Sequence, residues 1–105
     1  MLLRGTKKML SKKELDELCM KGESLRQRLC AIDNGRLIHE ARCIGNILCN
    51  GVPNLQDGYK TLEEIRAGKD CKWTEDEAID FCNQVESSVR KGIAHAIKFL
   101  NTNNL

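Results

Sequence analysis

The stretch 74–100 constrains this chain most, because apolar residues return there with the period of an α-helix over its whole length. At about 100° per residue, Ala78, Cys82, Val85, Val89, Ile93, Ala96 and Leu100 fall on one face. Ile79 and Ile97 run along one edge and Phe81 and Phe99 along the other. The start is marked by Thr74 with Glu77 three positions on, a capping box in which each side chain meets the other residue's backbone N–H. Acidic residues fill the first turns (Glu75, Asp76, Glu77, Asp80) and basic ones the last (Arg90, Lys91, Lys98), as the helix dipole favours. The apolar stripe is about 160° wide, more than one neighbour can cover, so the helix should meet either two helices of its own chain or a second subunit. Glu86 and Gly92 interrupt it. They read as an edge carboxylate reaching to water and a tolerated glycine; the alternative is a polar contact and a close backbone crossing in an interface.

The rest of the chain reads as further helices. Ser11 and Glu14 make a second capping box, with Leu10 and Leu15 placed as a hydrophobic staple. Leu15, Leu18, Leu25, Leu29 and Ile32 then share a face with Gly22, and Asp33, Asn34 and Gly35 supply a left-handed stop. A second helix is expected over 36–49, ended by Asn50 and Gly51 and kept ended by Val52 and Pro53. A loop over 54–60 should follow, then a short helix opened by Thr61 and Glu64 and closed at Ala67 and Gly68. The expectation is an all-α protein: a compact irregular bundle of three main helices plus one short helix, with a long C-terminal amphipathic helix. Residues 1–10 form a flexible basic arm, 11–100 the helical domain and 101–105 a frayed tail.

Composition agrees. There are four aromatics among 105 residues, so the core must be aliphatic, and no β-branched alternation recurs at strand spacing. No stretch approaches a membrane span and the N-terminus has no apolar signal run, which points to no membrane partner and a cytoplasmic location. Six cysteines are then expected to be thiols, although their number alone would permit a disulfide framework. Residues 1–52 carry ten basic and six acidic groups, and 53–105 carry seven and nine. Arg4, Lys7, Lys8, Lys12 and Lys13 meet no acid before Glu14, so the arm could lie on phosphates, but a solvated terminus is the simpler reading.

Several groups of side chains have spacings that bear on chemistry. His39 and Cys43 lie four apart and therefore adjacent on an outward helix surface, with Arg36 a turn back. An imidazole beside a thiol can create a nucleophile or redox sensor, or half a zinc site, though no second half-site follows. Cys19, Arg26 and Cys30 on the first helix and Cys82 in the long stripe read as small hydrophobes at packing seams. Glu77 and Asp80 with Glu63 and Glu64 upstream resemble the acidic clusters of helical nucleotide pyrophosphohydrolases, which implies magnesium. The third upstream carboxylate of that family is replaced here by Ala67. Trp73 through Glu77 resembles the opening of a Myb-type DNA-binding repeat, without that domain's further spaced tryptophans.

No catalytic signature stands above its structural explanation, and no cofactor or metal is indicated. The sequence therefore points to binding: a small cytoplasmic regulator acting through a protein partner, of the inhibitor or counter-defence kind carried by phages and mobile elements. The expected surface is Arg36, His39, Glu40 and Cys43 with Asp57, Tyr59 and Lys60 of the adjoining loop. The alternative is a homo-oligomer through 74–100 that binds a nucleotide or other small anion with Arg26, Arg36, Lys60 or Arg90. Nucleic-acid binding through the arm ranks third.

Overall fold

The computed structural model describes residues 9–105, and these form three α-helices with no strand among them. The basic arm expected over 1–10 lies outside the described residues except for Met9 and Leu10. Helix α1 spans Lys12–Cys30, α2 Ile38–Arg66 and α3 Glu75–Thr102. Two of the three expected capping boxes are present, Ser11 with Glu14 and Thr74 with Glu77, each made of two reciprocal backbone–side-chain bonds at 2.8 and 3.1 Å.

The interruption expected after Cys49 does not occur. Helix α2 runs unbroken through Gly51 and Pro53, so the predicted loop over 54–60, the cap at Thr61 and the separate short helix are all one helix. Locally, Gly51 costs about 1 kcal/mol and Pro53 about 3 kcal/mol. Against this stands the burial of Val52, Leu55 and Leu62, at most 6% exposed, each contributing about 1.5–3 kcal/mol. Burial outweighs propensity. Pro53 and Cys49, whose carbonyl loses its N–H partner to the proline, are both exposed residues. The end at Ala67 is as expected: Gly68 takes φ +83°, and the Gly68 and Lys69 N–H groups donate to Ile65 and Glu64.

The left-handed stop expected at Asp33, Asn34 and Gly35 is also absent. Helix α1 ends earlier, capped by Ala31 in right-handed geometry, and neither Asn34 nor Gly35 has a positive φ. Asn34 instead opens the turn into α2: its side chain accepts from the Arg36 N–H, and its carbonyl from those of Leu37 and Ile38.

Contacts between helices give the topology. Gly22 faces Val52 and Gly45 faces Leu29, while Gly51 faces Val89, Gly58 faces Phe81 and Cys82, and Gly92 faces Ile47 and Leu48. Residue numbers rise along one helix as they fall along its neighbour, so α1 and α3 each lie antiparallel to α2. Helix α2 is the central element, and α1 touches α3 over a smaller area. At about 1.5 Å per residue, α2 and α3 each run roughly 42–44 Å along the molecule's 49 Å length. The wide face of α3 is covered by two helices of the same chain. Its width alone therefore no longer asks for a second subunit.

Glu86 is buried at 5% exposure, which corrects the expectation that it reaches water. Its carboxylate accepts from Arg90 Nε at 2.9 Å, and that guanidinium remains about half exposed. A carboxylate this deep needs such a partner, because leaving it unpaired is costly. The alternative reading of Gly92, a close backbone crossing, is realised inside the chain against α2.

The α2–α3 seam is tight enough to test. A Cβ on Gly51 would stand 2.8 Å from Val89 Cγ2, and one on Gly92 would stand 3.0 Å from Leu48 Cδ2. Valine in a helix has little rotamer freedom with which to move aside. Gly51→Ala should therefore destabilise the protein by about 1–3 kcal/mol in urea denaturation, although alanine is the better helix former. Adding Val89→Ala should recover part of that loss, whereas strictly additive losses would show that the two positions do not touch.

Candidate functional site

Because α2 is continuous, its outward residues keep one register from end to end. His39 and Asp57 are eighteen residues apart, five full turns, and stand on the same face roughly 27 Å from each other. Cys43 and Lys60 flank that line, and all four are exposed. Arg36, also exposed, lies in the turn before the helix, and Glu40 lies toward α3 over a shallow depression with Leu37, His95 and Lys98. The structure thus brings most of the expected surface onto one strip of a single helix. Tyr59 is not part of it. Two residues beyond Asp57 it turns inward, half-buried, and its hydroxyl accepts the Leu10 N–H at 2.9 Å.

His39 and Cys43 meet as the spacing requires, with Nε2 and Sγ 3.8 Å apart. Cys30 departs from its packing role: it is exposed, and Arg26 Nη1 approaches its sulfur at 3.6 Å. Cys19 and Cys82 are buried as expected, and all six cysteines are free. Among the described residues no group of three or more His, Cys, Asp or Glu side chains is arranged to hold a metal ion. No described helix is long and apolar enough to cross a membrane.

A further feature has no counterpart in the sequence pattern. A groove of about 430 Å³ opens between the second half of α2 and the start of α3, bordered by Asn54, Asp57 and Thr61 on one side and Cys71, Lys72 and Trp73 on the other. Gly58, Ala78 and Phe81 form its floor. Trp73 is 43% exposed, and its ring meets Phe81 edge to face, with centroids 5.2 Å apart and planes at 85°. Such a pair is favourable beyond its buried area, so the indole is steadied while part of its surface stays open. A signal for this was available. Trp73 stands just before the cap and Ala78 in the next turn, the two positions of a hydrophobic staple, which fixes how the chain enters α3. The opposite wall could not be foreseen with 54–60 read as a loop.

No protein-family model, no curated protein and no solved structure matches this chain.

Burial sets the ionisation of the inner thiols. It pushes Cys82 up to about 11, with the nearby Glu86 carboxylate adding to the effect. Cys19 is raised by burial and then by Asp16, and Tyr59 is raised by burial first, against the lowering effect of the Leu10 N–H. The folded state holds these protons where the unfolded chain would release them. Their contribution to stability is therefore complete below about pH 9 and is lost as the pH rises through the folded values. In native protein near neutral pH, Cys30, Cys43, Cys49 and Cys71 should label readily, with Cys19 and Cys82 reacting only on unfolding. The urea midpoint should fall from about pH 9 toward pH 11, less steeply in Cys82→Ala. Equal native labelling of all six thiols would contradict this packing.

Proposed function

We propose that this protein is a binding protein that acts through a second protein, as a small cytoplasmic regulator or inhibitor, and that the partner seats in the groove beside Trp73. The observation that supports this most is the indole itself. It is a large aromatic side chain, open to solvent by nearly half, yet already oriented by Phe81. Aromatic anchors in pockets supply much of the energy of protein interfaces, and one held in place loses little side-chain freedom on docking. The exposed strip of α2, from His39 and Cys43 to Asp57 and Lys60, runs alongside and offers a polar surface continuous with the groove. A groove of a few hundred Å³ also matches the size of a small-ligand site, but this one is open along the helix.

A photoreactive amino acid at Asn54 or Lys72, on the two rims, should cross-link in the native cellular setting to one and the same protein. The same group at Lys91, exposed on α3 away from the groove, should give no such adduct. Trp73→Ala should lower the rim adduct by about tenfold, the effect of removing an anchor residue. Adducts spread equally over all three positions, or none at either rim, would overturn the proposal.

A further inference from the structure

We infer that the partner presents a basic segment to this groove, with an arginine or lysine side chain laid against Trp73 and its cationic head paired with Asp57. This rests on the reading of the groove as a partner site and adds the chemistry of what enters it. Three observations carry it.

The first is the pairing of an open aromatic ring with a carboxylate across one groove. Asp57 borders the same cavity as Trp73 and Phe81, and among the described residues it has no ion-pair or hydrogen-bond partner. Aromatic faces attract cations, arginine most often, and a carboxylate opposite supplies the charge-assisted hydrogen bonds. The second is the distribution of charge along the chain. Residues 53–84, which form both walls of the groove and the turn between them, hold eight acidic and four basic side chains, although the whole protein carries a net charge of +2. The groove is therefore built from acidic segments, whose negative field steers partners of opposite sign. The third is that the other side of the same indole is bordered by Glu77, Asp80 and Gln84 in a shallower depression. A cation resting on Trp73 is therefore flanked by acidic groups on both sides.

Among the described residues Lys72 is the one cation on the rim, and it makes the inference easy to break. It is exposed and has no partner among the described residues. A cationic guest must coexist with it or push it aside, so removing its charge should help a cation and hurt an anion. Asp57 should respond with the opposite sign.

Trp73 is the only tryptophan, so its emission reports on the groove directly. The full chain, titrated at low salt with an acetylated oligo-arginine peptide, should show a saturable change in Trp73 emission, with none for an oligo-glutamate peptide. Asp57→Asn should weaken the arginine peptide by about fivefold and Lys72→Gln should strengthen it by about threefold, as expected for partly exposed charge pairs. Both changes are on the surface, and an unchanged helical circular dichroism signal will show that each variant is folded. No saturable response to the arginine peptide would overturn the inference. So would the reverse signs, or a response to neither substitution. Emission that changes with protein concentration alone would instead assign the groove to a second copy of this chain. Rim adducts that form while the peptide signs are reversed would leave the partner reading standing and remove only its basic character.

Discussion

The antiparallel seam between α2 and α3 holds this structure together, and it depends on side chains that are missing. Gly51 leaves room for Val89 and Gly92 leaves room for Leu48, so the two longest helices approach closely along a line of reciprocal small-and-large contacts. That closeness buries Leu48, Val52, Leu55, Val89, Ile93 and Ala96 in one core. Dispersion contacts accumulate only at such separations. Helix α1 adds a third wall through Gly22 and Val52, but it is shorter and covers only part of the pair.

The seam also accounts for the unusual course of α2. A glycine and a proline two residues apart would end most helices, yet here the helix is held on both sides of them by residues already committed to the core. Its unbroken passage has a functional consequence. Only a continuous helix keeps His39, Cys43, Asp57 and Lys60 in phase over five turns, and only this register places Asp57 opposite Trp73. The site is therefore a consequence of core packing. Its two walls come from segments joined at one end by the Arg66–Glu75 ion pair, at 2.7 Å, and brought together by Gly58 lying under Phe81 and Cys82.

Polar groups within the core follow the same logic. Glu86 is carried inward because it lies on the buried side of α3, and Arg90 one turn later neutralises it from the surface. The Glu86 carboxylate in turn helps to keep Cys82 and Tyr59 protonated. Burial is the first cause for both inner thiols, Cys19 and Cys82, whereas Cys30, Cys43, Cys49 and Cys71 are exposed.

What the sequence determined by itself was local: the helical periods, the all-α class, two of the three expected capping boxes and the adjacency of His39 and Cys43. Each depends on residues within about one turn of each other, where propensity and hydrogen-bond geometry suffice. The tertiary structure alone decided what depends on distant partners. Asn50, Gly51 and Pro53 spell a helix end in any local reading, and only the burial of Leu55 and Leu62 against other elements reverses it. Glu86 looks like an edge residue until the neighbouring helices define the edge. Tyr59 looks available until Leu10 claims its hydroxyl. The groove at Trp73 joins residues from positions 54 to 81, and no short-range signal connects its two sides, because contacts between segments arise only when the chain folds back and the apolar faces close on one another.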